Sequence, residues 1–95
     1  MAKSNLQTFC QAIDDYNASV AHEDRIAFDA TTVRQLHGVA ISDLTAQLGE
    51  PAKQIIARDC VIHLWPPNTS RTNGYAAMET DRSTFITWRG ARSAG

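Results

Sequence analysis

Cys60 and His63 are the side chains of this chain whose chemistry best suits zinc binding or nucleophilic catalysis. They are three residues apart and would share one face of a helix. Cys10, His22 and His37 are the remaining residues of these two types. The chain contains no Cys-x-x-Cys or His-x-x-x-His pair, and structural zinc sites usually combine two pairs of ligands. We therefore predict no metal site and no cofactor, and we interpret Cys60 and His63 as core residues of a helix.

Two pairs of adjacent carboxylates are the other candidates for catalytic groups. They are Asp14-Asp15 and Glu23-Asp24. Consecutive residues of a helix point in different directions, so neither pair resembles a catalytic dyad. The chain also has no glycine-rich phosphate-binding loop. The sequence therefore predicts a protein that is not an enzyme.

A different chemistry is available along residues 53–58, where Lys53, Gln54 and Arg58 offer hydrogen-bond donors. Gln can pair with adenine, and Arg or Lys can pair with guanine or with phosphate. Arg71 and Arg82 lie in segments that read as loops, from which side chains commonly contact the DNA backbone. Side chains of these types are suited to contacts with double-stranded DNA.

A first helix is predicted from Ser4 to about residue 20. Ser4 and Gln7 have the spacing of a capping box, and apolar residues then recur every three or four positions. This apolar stripe consists of Leu6, Phe9, Cys10, Ile13, Tyr16 and Val20. We predict that Leu6, Phe9, Ile13 and Tyr16 form the seam of a homodimer.

Further helices are predicted over residues 33–38, 43–49 and 51–63. Gly38 and Gly49 would end the first two, and Pro51 suits the first turn of the third. The segment 60–65 is rich in β-branched and aromatic residues, so a strand is the alternative there. A β-hairpin is predicted from residues 75–79 and 83–89, with a tight connection at 80–82.

The order helix, turn, helix, hairpin resembles the winged helix-turn-helix domains that bind DNA. The resemblance covers residues 42–89: Leu44 and Leu48 match the core positions of the first helix, Gly49 the turn, and Ile55 the residue that locks the second helix. It implies an α+β fold, namely a small helical domain of three to four helices with a C-terminal β-hairpin as the wing. It also implies that the protein binds double-stranded DNA, with Lys53, Gln54 and Arg58 in the major groove and with Arg71 and Arg82 on the DNA backbone.

The length of 95 residues predicts one domain, which we place at residues 4–90 with a frayed tail at 91–95. Residues 1–50 contain three basic and seven acidic residues, whereas residues 51–95 contain six basic and three acidic ones. An anionic partner would therefore meet the C-terminal half first. Trp65 and Trp88 are interpreted either as core residues or as part of a binding surface.

The chain lacks an apolar run long enough to span a membrane, and its two cysteines are expected to be reduced in the cytoplasm. The first functional hypothesis is a dimeric, cytoplasmic DNA-binding regulator of a bacterium or phage. The alternative is a bacterial or phage protein-interaction module, an inhibitor or adaptor that binds a host protein without catalysis. This alternative is favoured by the small size, the net charge of −1 and the acidic first helix.

Overall fold

The computed structural model describes residues 4–58, 60–80 and 82–90, and within them two α-helices and five strands. The predicted tail at 91–95 lies outside the described residues. The elements, in chain order, are helix α1 (Asn5–Ser19), a short 3-10 turn (His22–Asp24), strand β1 (Asp29–Leu36), helix α2 (Ile41–Leu48) and strands β2 (Lys53–Ile56), β3 (Val61–Trp65), β4 (Asn73–Glu79) and β5 (Thr84–Arg89).

The five strands form one antiparallel sheet in the order β1-β5-β4-β3-β2. The predicted hairpin is present as β4 and β5, but it lies at the centre of this sheet. The predicted helical domain with a C-terminal wing is therefore wrong, because the sheet and not a helical bundle organises the molecule.

The predicted helix over residues 51–63 is replaced by β2, a turn and β3. Cys60, Ile62 and Leu64 are all buried on one side, which is the two-residue period of a strand. The chain reverses where the Ala57 N–H donates to the Cys60 carbonyl at 2.9 Å. The resemblance to winged helix-turn-helix domains is thereby left without a recognition helix.

The predicted helix over residues 33–38 is also wrong, because residues 33–36 belong to β1. Three consecutive β-branched residues, Thr31 to Val33, favour a strand here. Helix α2 is close to its prediction, but it begins at Ile41 and not after Ser42. Gly49 ends it with a φ of +81°, a left-handed value that suits glycine.

Helix α1 covers one face of the sheet, which we call the α1 face. Its capping box is confirmed: the Ser4 hydroxyl accepts from the Gln7 N–H at 3.1 Å, and the Gln7 side chain accepts from the Ser4 N–H at 2.9 Å. The main core lies between α1 and the sheet. Its buried members are Phe9, Ala12, Ile13, Ile26, Cys60, Ile62, Leu64, Ala76, Met78, Ile86 and Trp88.

Helix α2 covers the middle of the opposite face, which we call the α2 face. Leu44 is buried there against Trp65 and Ala77, and Leu48, Tyr75 and Phe85 pack around them. The Trp65 indole N–H donates to the Gly49 carbonyl at 2.8 Å, which fixes the end of α2 to the sheet. Trp65 and Trp88 are thus both core residues, on opposite faces.

Trp88 occupies the space above Gly74 on the α1 face. Strands β4 and β5 pair these two residues directly, and a Cβ atom at position 74 would overlap the Trp88 ring and lie 2.9 Å from Pro67 Cδ. The rings of Phe9 and Phe28 lie 5.4 and 5.8 Å from the Trp88 ring. The indole N–H donates to the Ala27 carbonyl at 2.9 Å, so this one side chain joins β5, β4, α1 and the segment that leads into β1.

We expect Gly74→Ala to lower the free energy of unfolding by about 2–3 kcal/mol, because the added methyl group forces Trp88 out of its packed position. Gly90→Ala is the matched control: the nearest atoms to its added Cβ lie 3.4 Å away. Its effect should stay within about 0.5 kcal/mol. Urea denaturation followed by Trp fluorescence measures both, and equal stability of the two variants would contradict this packing.

Candidate functional site

Helix α2 leaves the two ends of the α2 face uncovered. At one end, Asp29, Arg89 and Asn73 align across β1, β5 and β4, and we call them the polar row. At the other end an uncovered surface runs over β2, β3 and the end of β4, and we call it the open patch. The open patch consists of Gln54, Ile56, Val61, His63 and Glu79.

Strand β2 is an open edge of the sheet, since within the described ranges it pairs only with β3. The hydrogen bond from the Ala57 N–H to the Cys60 carbonyl shows which residues of β2 direct their backbone groups towards β3. These residues alternate in an antiparallel ladder. The backbone N–H and C=O groups of Ile55 therefore point towards β3, and those of Gln54 and Ile56 point away from the sheet. Strand β2 therefore presents unpaired backbone donors and acceptors.

Ile56 gives this edge an apolar contact point. Its side chain is 79% exposed, the larger of the two exposures found for large apolar side chains in the described part of the chain. Val61 lies directly opposite it on β3 and is half-buried. Beside them His63 and Glu79 form an ion pair of 3.0 Å when the imidazole is protonated and a hydrogen bond when it is neutral.

On the other side of β2 a groove of about 440 Å³ separates the strand from α1. Asp15 and Tyr16 line its helix wall, and Ile55, Ala57 and Arg58 line its strand wall. A segment added beside β2 would thus find the open patch on one side and this groove on the other.

The residues predicted to bind DNA do not form one surface. Arg58 and Arg82 are exposed in two turns at the same end of the sheet, whereas the β3–β4 loop that carries Arg71 is at the opposite end. The Arg71 guanidinium donates to the carbonyls of Trp65, Pro66 and Asn73, so it holds the β3–β4 loop together.

Lys53 and Gln54 lie on β2 and not on a helix. The Lys53 ammonium donates to the Tyr16 hydroxyl at 3.1 Å and lies 5.6 Å from the centre of that ring. Gln54 is exposed on the open patch. Of the five predicted residues, these two and Arg58 surround the open edge.

The predicted dimer seam of α1 lies against the protein's own sheet. Phe9 and Ile13 have no exposed surface, and Leu6 and Tyr16 are half-buried beside them. The stripe thus serves intramolecular packing, and only the margins of Leu6 and Tyr16 reach the surface.

Cys60, directly before β3, and His63, within β3, lie on opposite faces of the sheet, because a spacing of three reverses direction in an extended chain. Both cysteines are thiols, and burial together with the neighbouring Asp14 carboxylate raises the pKa of the Cys10 thiol. The described residues include no group of three or more His, Cys, Asp or Glu side chains that lie close enough together to hold a metal ion.

A cleft of about 790 Å³ surrounds the polar row. The Asp29 carboxylate accepts from the Thr31 hydroxyl at 2.6 Å and from the Thr31 N–H at 3.0 Å. These two bonds, with a smaller effect of Arg89, hold the pKa of Asp29 below its usual value. Asp29 is thus a stable carboxylate at neutral pH, facing a guanidinium on the neighbouring strand.

We expect Thr31→Val to raise the pKa of Asp29 towards its usual value, because the variant loses the stronger of the two hydrogen bonds. An NMR pH titration of the Asp29 carboxyl measures this. Since the folded pKa is depressed, the stabilisation is present at neutral pH and is lost as pH falls through that pKa. The substitution should therefore cost more stability at neutral pH than in strong acid.

Thr32→Val is the matched control for this titration. The Thr32 hydroxyl donates to the Asp29 backbone carbonyl at 2.8 Å and does not touch the carboxylate. Its loss should leave the Asp29 carboxyl pKa in place. A titration moved equally by both substitutions would show that the local fold, and not the Thr31 hydroxyl, sets this pKa.

Neither the exposure of Ile56 nor the polar row was predicted from the sequence. The alternation of Cys60, Ile62 and Leu64 could have indicated β3 and, through it, the exposed side of β2. Asp29 and Arg89 are 60 positions apart, and only the strand register brings them together.

Comparison with protein-family models, curated proteins and solved structures finds no match to this chain. Neither α1 nor α2 has the length and apolar character needed to cross a membrane, and the same holds for every helix in the described part of the chain.

Proposed function

We propose that this protein is a protein-interaction module that binds an extended segment of a partner protein by strand addition to β2. The observation that carries the proposal is the open edge of β2 with α1 beside it. Peptide-binding domains use this arrangement: main-chain hydrogen bonds supply affinity, and the surfaces on either side of the new strand supply specificity.

The two sides of β2 would favour different side chains in the added strand. Successive side chains of an added strand point alternately to the two faces of the sheet. On one face they would meet Ile56 and Val61, and on the other they would enter the groove beside Ile55 and α1. The partner segment should therefore carry apolar residues on the face that meets Ile56 and Val61, and side chains that suit a mixed polar and apolar lining on the face that enters the groove.

Charge favours acidic residues at the two ends of the segment, whereas Asp15 in the groove and Glu79 in the open patch disfavour them at its centre. Lys53 begins β2 and Arg58 follows its end by two residues, so cations bracket the edge. Antiparallel pairing with a second copy about Ile55 would place Lys53 opposite the Ala57 of that copy and therefore one residue from its Arg58. Like charges in such positions oppose self-association, which is a known protection of open edges. A partner segment with acidic residues on either side of an apolar centre complements these two cations.

Both cysteines are thiols, which fits action in a reducing compartment such as the cytoplasm.

The direct test replaces the outward N–H of Gln54. A displayed library of random octapeptides is selected on the protein, and the best peptide is synthesised with a fluorescent label. Gln54→Pro removes the N–H that the peptide needs but no bond to β3, so affinity should fall about tenfold or more in fluorescence anisotropy. Gln54→Ala removes only the side chain and should stay within about twofold of the parent.

The selected sequences test the remaining parts of the proposal. Acidic residues should flank an alternating apolar centre, and Arg58→Ala should weaken binding in a salt-dependent way. Failure of the library to yield a binder, or equal affinity of Gln54→Pro and Gln54→Ala, would reject strand addition. A labelled random-sequence duplex is included as a second probe. Tight duplex binding that falls steeply with salt would replace this proposal with nucleic-acid binding.

A further inference from the structure

We infer that the cleft around the polar row binds a small zwitterion of the α-amino acid class. This cleft is at the opposite end of the sheet from the open patch and involves no residue of β2. The inference therefore stands independently of the proposed strand addition.

The register of three strands builds the polar row. Asp29 pairs with Arg89, and Arg89 pairs with Asn73. Directly paired residues of antiparallel strands have their side chains on the same face. A carboxylate, a guanidinium and an amide therefore lie side by side on the α2 face, beyond the part that α2 covers.

A large bulge in β1 opens the space beside this row. Asp29 pairs with Arg89 and Arg34 with Thr87, so the four residues from Ala30 to Val33 stand opposite Trp88 alone. The Thr32 hydroxyl replaces part of the missing ladder, since it accepts from the Arg89 N–H at 2.7 Å. Bulges of this kind are frequent beside binding sites because they redirect side chains.

The two charges of the row remain available to a ligand. Asp29 Oδ1 accepts both bonds from Thr31, whereas no described residue donates to Oδ2. The Arg89 guanidinium likewise has no hydrogen-bond partner among the described residues. The sole ion pair within 4.0 Å in the described ranges is that of His63 and Glu79, so Asp29 and Arg89 do not neutralise each other by direct contact.

A zwitterion suits this arrangement better than a simple ion does. An anion bound to Arg89 would be repelled by Asp29, and a cation bound to Asp29 would be repelled by Arg89. A molecule that carries an ammonium and a carboxylate satisfies both groups with charge-assisted hydrogen bonds. The volume of about 790 Å³ accommodates such a molecule, and Phe28 and Ala30 in the lining provide apolar contact for a neutral side chain.

The experiment is an NMR titration of the backbone amides with each neutral α-amino acid in turn at millimolar concentration. We expect at least one of them to shift the amides of residues 28–32, 72–73 and 89–90 in a saturable way. The N-acetyl and the carboxamide derivatives of that amino acid lack one charge each. Each derivative should bind about tenfold more weakly than the parent amino acid, because one charge-assisted bond is lost.

Two variants assign the charges. Asp29→Asn keeps an oxygen acceptor for Thr31, so the fold is retained. Its affinity for the amino acid should fall about tenfold, whereas its affinity for the anionic N-acetyl derivative should not fall and should rise as the repulsion by Asp29 is removed. Arg89→Gln should likewise bind the amino acid more weakly, while its affinity for the cationic carboxamide derivative should not fall. Gln54→Pro, at the far end of the sheet, is the control and should bind the amino acid normally.

Absence of any saturable shift with the whole set would overturn the inference. Equal affinity for the amino acid and both derivatives would also overturn it, since the site would then not recognise the charges of the ligand. Shifts located outside the cleft would also reject it.

Discussion

The packing of Trp88 over Gly74 is the contact on which the rest of this structure depends. Glycine at position 74 leaves a gap in the α1 face that the indole fills, and Phe9 and Phe28 close around it. The indole N–H then fixes the Ala27 carbonyl, which determines where β1 enters the sheet. Because β1 enters at that point, Asp29 meets Arg89, and the bulge follows from the residues left between this contact and Arg34. A core contact on one face thereby positions the polar row on the other.

The second constraint is the short length of α2. Its eight residues cover the area around Trp65, Tyr75, Ala77 and Phe85, and Gly49 ends the helix before it reaches β2. The uncovered area is therefore divided between the two ends of the sheet. One end is mainly polar, with charges of both signs, and the other combines an exposed isoleucine with an open strand edge. This division is the physical basis for assigning different ligands to the two ends.

Local signals in the sequence predicted the elements that are regular and self-contained. The Ser4 capping box and the apolar stripe predicted α1, and two strand-like segments joined by a tight connection predicted the hairpin of β4 and β5. Residues 51–63 were misread because Ile55, Ile56 and Ile62 fit a helical face as well as a strand, and the reversal after Ala57 lacks the usual Asn-Gly or Asp-Gly turn. Strand β1 was missed because its bulge interrupts the alternation. The polar row could not be predicted, since its members meet only through a register that the completed sheet defines.

The two edges of the sheet are not equivalent, and this limits what the molecule can build. In β1 the bulge breaks the regular spacing of backbone groups that an incoming strand would need, whereas β2 keeps that spacing over its four residues. A sheet with one receptive edge can accept one strand. It can be lengthened by a single added strand, but it cannot pass the pairing on to a further molecule through its opposite side. Complexes formed through β2 should accordingly have one-to-one stoichiometry and a defined size, and they should not grow into fibres or extended arrays even at high concentration.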